Sequence, residues 1–254
     1  PVPPYGTYRL PRPLAALRRA VASLPAGRGP RLVASGVRRL CMMGRSGPID
    51  VEADGGVRLR LWPRTNRCEK AVLTAPWAFD APERTVLSAA VAAGPSDRAF
   101  VFLDLGANVG LYALSVLAAA RAAGRPARVV AVEPDPVNRE RLETNLALNG
   151  FAAEAVAAAV AAEDGWMRLV PPAGNRGEAR VAPTTDSADG DGTVVEARTI
   201  LSLARARGLE RIDALKIDVE GHDRAALAAF LEAAPPALWP AIVVAEVGRT
   251  DASG

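Results

Sequence analysis

Hydrophobic positions recur with helical spacing in two short stretches near the start of the chain. They predict helices over 14–24 and 31–43, separated by the breaker run 25–30. In the first, Leu14, Leu17, Val21 and Leu24 share one face while Arg18 and Arg19 lie elsewhere. That face serves either attachment to an anionic membrane surface or docking on the body of the protein. From residue 49 to 61 the period changes to two on either side of Asp54-Gly55-Gly56, which predicts a β-hairpin. Asp80, Pro82 and Glu83 have the form of a helix start with a capping box, and a helix is expected to about Ala93.

Apolar strand-like runs then alternate with helical ones. Strands are predicted over 99–104, 127–133, 154–160, 214–219 and 241–247, and helices over 109–123 and 136–149. The second of these helices has Asp135 as N-cap, Pro136 at its first position and Gly150 at its end. Alternating apolar strands and helices imply an open, mostly parallel α/β sheet covered on both faces. Two further β-like pieces, 166–170 and 193–197, flank a Pro/Gly/Asp/Ser-rich stretch over 171–192, expected to be a loop over the active site or a disordered segment. The organisation expected is a basic helical arm over 1–47, a hairpin and connector over 48–79, and a main domain over 80–254.

Composition narrows the class. At 254 residues, 50% hydrophobic and 23% charged, the chain can bury a sizeable core. No run of about 18 apolar residues suggests a bilayer span. The chain starts at Pro1 without an initiator Met, which reads as a fragment or a processed form. The net charge of +3 conceals nine arginines and no acid in residues 1–49, against 22 basic and 28 acidic residues afterwards. The main body is therefore not expected to bind nucleic acid, whereas peripheral surface contact through 1–47 is open. Cys41, Cys68 and His222 are the only cysteines and histidine, too few for a structural zinc site. Two free thiols in a reducing cytoplasm are expected rather than a bridge.

The chemistry-bearing residues fall at predicted strand ends, where ligands bind in open α/β sheets. Asp104, Gly106, Asn108 and Gly110 run from the first strand into the next helix, where small residues permit close backbone approach and a helix N-terminus offers N–H groups. Asn108 and Leu111 replace the second and third glycines of a dinucleotide fingerprint, which counts against a nicotinamide oxidoreductase. Asp104 suits a ligand with a cationic end such as a sulfonium or ammonium. Glu133, 23 residues after Gly110, is placed to accept from both hydroxyls of a ribose, whereas Asp135 caps the next helix or joins the site. Lys216, Asp218 and Glu220 have period-two spacing and would point to one side of a strand end. His222 is a candidate general base or a solvated cap.

Three motifs carry a resemblance to a known family: FLDLGANVG at 102–110, VEPD at 132–135 and LKIDVEG at 215–221. Together, over residues 80–247, the chain resembles the FkbM family of S-adenosylmethionine-dependent methyltransferases. The resemblance implies a class I methyltransferase (Rossmann-like) fold with S-adenosyl-L-methionine as cofactor. Its methionine part is expected over Asp104, Gly106, Ala107, Asn108 and Gly110, its ribose on Glu133 beside Pro134 and Asp135. The adenine is expected at the loop after the third strand, from Val160 onward, where Ala162 stands in place of the family's usual polar residue and Glu163 or Asp164 could substitute. Such folds end with an antiparallel strand pair, and this chain stops seven residues after Val247, which implies a truncated sheet edge.

The reaction expected is in-line transfer of a sulfonium methyl to a hydroxyl of a small-molecule or glycan acceptor, a sugar or polyketide-like product, governed by positioning and a proton acceptor. Asp218 would orient or deprotonate the acceptor, with Glu220 and His222 assisting and Lys216 holding a carboxylate. A metal-assisted version would use Asp218 and Glu246. A non-catalytic methyltransferase-like domain that binds a partner or an anionic surface through its arm is the remaining alternative. Oligomeric state is left open.

Overall fold

The computed structural model describes residues 2–76, 79–170, 180–183, 192–219 and 221–245. The chain opens with α1 (Arg12–Ala22) and α2 (Arg28–Met42), each with a proline in its first turn. A missing N–H has no consequence at those positions, so the breaker run reaches only to Gly27 and Pro30 lies inside α2. The hairpin follows as β1 (Ile49–Glu52) and β2 (Arg58–Leu61), antiparallel around a short 3-10 turn. Then come α3 (Arg67–Val72), α4 (Ala81–Ala93), β3 (Phe100–Leu105), α5 (Leu111–Ala122), β4 (Ala127–Val132), α6 (Pro136–Asn149) and β5 (Glu154–Val156). The chain continues through β6 (Ala159–Val160), β7 (Gly165–Val170), β8 (Arg180–Pro183), β9 (Thr193–Arg198), α7 (Ile200–Ala206), β10 (Ala214–Ile217), α8 (Asp223–Ala233) and β11 (Ile242–Ala245).

Five strands form a parallel sheet in the order β11-β10-β3-β4-β5, so strand order reverses between β3 and β10. Alternation along β3 divides the core. Phe100 and Phe102 face a cluster shared with α4, α5, α6, the hairpin and the arm. Val101, Leu103 and Leu105 face a second cluster with α7 and α8. Asp104 and Lys216 thus belong to the first face, and they are register partners across β3 and β10.

The predicted third strand is divided. Residues 154–156 pair with β4, whereas 159–160 pair with β9 in a second sheet of order β6-β9-β7-β8. Within 171–192, only 180–183 (as β8) and Gly192 are among the described residues. The capping box at Asp80 is also corrected. Asp80 has a left-handed φ of 41° and makes no cap hydrogen bond; its carboxylate accepts instead from the Tyr112 hydroxyl at 3.0 Å.

The described part of the arm, residues 2–47, is packed onto the body. Leu10, Val21, Ala34, Val37 and Cys41 are buried in the same cluster as the hairpin and sheet. Arg60 grips Asp50 through two hydrogen bonds of 2.8 and 3.1 Å, and the same guanidinium donates to the Pro3 and Pro4 carbonyls. Asp50 also accepts the N–H groups of Gly6 and Tyr8, and these bonds hold its pKa down against the opposing effect of burial. Buried Arg18, predicted on the polar side of α1, donates to the carbonyls of Leu73 and Glu52. On the other side of the hairpin, Asn145 and Asn149 of α6 accept the N–H groups of Arg60 and Arg58, each at 2.8 Å. Four residues of helix rise about 6 Å, close to two residues of strand, so the two amides substitute for a neighbouring strand.

Candidate active site

The loop from β3 into α5 owes its glycines to close packing. Gly106 has φ +73°, and a Cβ there would collide with the Asp218 carbonyl oxygen; at Gly110, φ +84°, it would collide with Leu142. The N–H groups of Gly106 and Ala107 both donate to the Val132 carbonyl, so they tie β3 to β4 and do not face a ligand. Asn108, left-handed at φ 51°, donates its N–H to Glu133 at 2.8 Å.

Glu133 bridges two loops, because its other oxygen accepts the Asp135 N–H at 2.9 Å. Burial raises its pKa to about 7, against the lowering effect of those bonds. Asp104 has no exposed surface: one oxygen accepts the Ala113 N–H at 3.1 Å and the other has no hydrogen bond. Desolvation lifts Asp104 to about 6, opposed chiefly by the Lys216 ammonium 3.9 Å away. Direct contact of Asp104 with a ligand is therefore corrected; its influence is through its field.

Lys216 is the hub of the site. Its ammonium donates to the Gly106 carbonyl at 2.8 Å, lies 3.4 Å from the Asp218 carboxylate and sits over the Tyr112 ring. Lys216 is buried, whereas the Asp218 side chain is 42% exposed. The expected meeting of Lys216 with Asp218 is observed, but Glu220 and Glu246 lie outside the described residues. His222 occupies the N-cap position of α8 without a side-chain cap bond. Asp223 instead holds the turn by accepting the N–H groups of Val219 and Gly221.

Asp135 is buried as the α6 N-cap, as predicted, accepting from Val137 and Asn138, beside half-buried Pro134. Two other sequence assignments shift. Val160 is buried in the core against α7 and is not a surface for an adenine ring. Asp164 accepts the Thr199 N–H and the Ser202 hydroxyl, so it caps α7.

Residues from the connector complete the site. Asn66 caps α3 with its oxygen and donates through its amide nitrogen to the Asn108 side chain at 2.7 Å. Beside it, Cys68 has its thiol pKa pushed to about 12 by burial and the nearby Asp218 carboxylate, so it is not a nucleophile at neutral pH. Cys68, Phe79, Asp80, Tyr112, Asp218 and Val244 line a cleft of about 280 Å³. These contacts span some forty residues of sequence and carry no spacing signal. Only the N-cap pattern at Asn66 was available in the sequence.

The donor set fits a cofactor with hydroxyls and a cationic centre. After its two N–H bonds the Glu133 carboxylate retains acceptor capacity. The Asp104 oxygen without a hydrogen bond adds negative potential at the switch point between β3 and β10.

The Methyltransferase FkbM domain profile matches residues 104–251. No curated protein matches. Among solved structures, a SAM-dependent methyltransferase from Agrobacterium tumefaciens is similar at 14% identity and a TM-score of 0.45. The alignment covers 81% of this chain, which spans 55% of the length of that one. No described helix is long and apolar enough to cross a membrane. The profile match covers more than half of the chain and begins at Asp104, the last polar residue of the central strand: the chain belongs to the FkbM methyltransferase family, whose cofactor is S-adenosylmethionine.

Proposed function

We propose that this protein methylates a hydroxyl of a small-molecule or glycan acceptor, a sugar or polyketide-like product, bound in the cleft between α3, α5 and the ends of β10 and β11. The observation that carries the reading is the Lys216–Asp218 pair: a half-exposed carboxylate on the cleft, held by a buried ammonium that also grips the cofactor loop. Bound S-adenosylmethionine supplies an electrophilic methyl group on a sulfonium. Glu133, through its remaining acceptor capacity, and the loop over 106–110 would hold the cofactor. Asp218 accepts the proton of the acceptor hydroxyl, and Lys216 keeps that carboxylate in place. Tyr112 stays protonated, since burial and Asp80 raise its pKa, and it fixes Asp80 on the far wall. Glu220 and His222 follow Asp218 in the chain and assist in orienting the acceptor.

Calorimetric titration with S-adenosylmethionine, beside NAD and a Glu133→Ala variant, tests the cofactor assignment. Micromolar binding of S-adenosylmethionine alone, lost in the variant, is expected. A screen of hydroxylated acceptors then tests the chemistry, with Asp218→Ala expected to lose about 100-fold or more in turnover while still binding cofactor. Undiminished turnover in Asp218→Ala would overturn the proton-acceptor role.

A further inference from the structure

The outward side of α2 has a composition that core packing does not explain. Ala34, Val37 and Cys41 form its buried face. On the opposite side Leu32, Val33 and Leu40 are 76%, 50% and 46% exposed, and Met43 at the C-cap is 68% exposed. Leu32, Gly36, Leu40 and Met43 follow one another at helical spacing, so they form a continuous apolar stripe. A stripe of this kind on the surface of a soluble domain marks an interaction site.

Its neighbour on the helix is strongly basic. Arg38, Arg39, Arg64 and Lys70, with Ser35 and the two methionines 42 and 43, line a cleft of about 350 Å³ that no acidic side chain enters. The cleft is built, since Arg64 is fixed by hydrogen bonds to the carbonyls of Met42 and Arg45, at 2.8 and 2.6 Å. Arg38 donates to Ser35. Among the described residues, none of the four cations has an ion-pair partner. Exposed Arg28 and Arg31 extend the positive flank, and no acid precedes Asp50 in the chain.

We propose that this face of α2 docks on an anionic membrane surface: the cleft formed by Arg38, Arg39, Arg64 and Lys70 takes a phosphate headgroup, and Leu32, Leu40 and Met43 enter the acyl boundary. Charge complementarity selects this occupant. Two copies meeting through the stripe would bring these cations together, whereas an anionic leaflet neutralises them and accepts the apolar side chains. The docking face is distinct from the methyl-transfer cleft and does not depend on its chemistry.

The test is co-sedimentation of the intact chain with phosphatidylcholine vesicles, with and without one third phosphatidylglycerol. Binding is expected only to the anionic vesicles, weakening as salt is raised. Leu40→Asp with Met43→Asp, and separately Arg39→Glu with Lys70→Glu, are each expected to reduce the partition coefficient by about tenfold or more. All four positions are exposed, and unchanged circular dichroism and S-adenosylmethionine binding would show that the fold is retained. Equal binding to neutral vesicles, no binding to anionic ones, or binding unmoved by either pair of substitutions would overturn the proposal. So would a concentration-dependent dimer dispersed by Leu40→Asp, which would identify the stripe as a contact between copies.

Discussion

Lys216 donates to the Gly106 carbonyl at 2.8 Å, and Gly106 in turn leaves room for the carbonyl of Asp218, two residues beyond Lys216. Each side of the site is therefore shaped by the other. The loop after β3 is held by a residue of β10, and the chain just beyond β10 lies against a glycine of that loop.

Lys216→Met should be costly in stability as well as activity. It leaves the buried Asp104 carboxylate without its cation, a loss of about 3–5 kcal/mol by precedent for broken buried pairs. Lys216 is also what holds the Asp104 pKa down, so the variant's Asp104 protonates more readily and the loss should shrink below pH 6. Urea denaturation at pH 8 and pH 5.5 measures both, and Asp104→Asn combined with Lys216→Met should recover part of the deficit.

Gly106→Ala tests the packing of the two strand ends. A left-handed alanine costs about 1–2 kcal/mol, and its methyl group must also displace the Asp218 carbonyl. Turnover should fall further than stability, by about tenfold or more, because Asp218 moves relative to the acceptor. An alanine variant with native kcat would show that Asp218 placement is not limiting.

Stability should fall as pH rises from about 4 to 7. Glu69 and Glu133 are lifted to about 7 and Asp104 to about 6, in each case chiefly by burial. Over this range the native state keeps protons that the unfolded chain has released, so their contribution is complete below the unfolded values near 4 and is lost through the folded ones. Asp50 and Asp213, held low by Arg60 and Arg98, act oppositely and remove stability only below pH 4. The urea midpoint is expected to peak between pH 4 and 5.5; a midpoint that climbs steadily to pH 8 would contradict the buried carboxylates.

Asn145→Ala should cost about 1–3 kcal/mol, because it deprives the Arg60 N–H and the Val109 carbonyl of their partner. Hydrogen exchange at Arg60 should accelerate well beyond that at its neighbours in β2, which distinguishes the lost bond from general loosening.

Asp50→Ala leaves the Arg60 guanidinium buried and unpaired. It should destabilise the chain by about 3 kcal/mol and expose the segment before α1 to protease. The rate of limited trypsin cleavage after Arg9, which Leu10 follows, reports the release directly.

Much of this architecture was legible along the chain because periodicity and caps are local. Helix α6 runs from Pro136 to Asn149 between Asp135 and Gly150, as the cap residues predicted, and all five sheet strands lie within or beside the apolar runs. Short elements escaped: α3 spans six residues, too few for a period to register, and the run over 154–160 is divided between two sheets because a continuous apolar stretch does not say which neighbour each half will pair with. The motifs located the strand ends and the residue types there. They could not reveal that Asp104 is sealed beneath Lys216, that Glu133 spends one bond on each of two loops, or that Asn66 braces Asn108 while Cys68 lines the cleft.

What the sequence by itself determined is therefore helices α1, α2, α4, α5 and α6, the parallel sheet and the identity of the charged residues at its carboxyl edge, since each follows from neighbours within a few positions. Which of those charges face a ligand, which are buried as counter-ions, and which connector residues close the cleft were decided only by tertiary structure. The physical reason is burial: a half-exposed carboxylate such as Asp218 is open to contact, whereas a sealed one such as Asp104 can act only through its field, and exposure is a property of the packed chain alone.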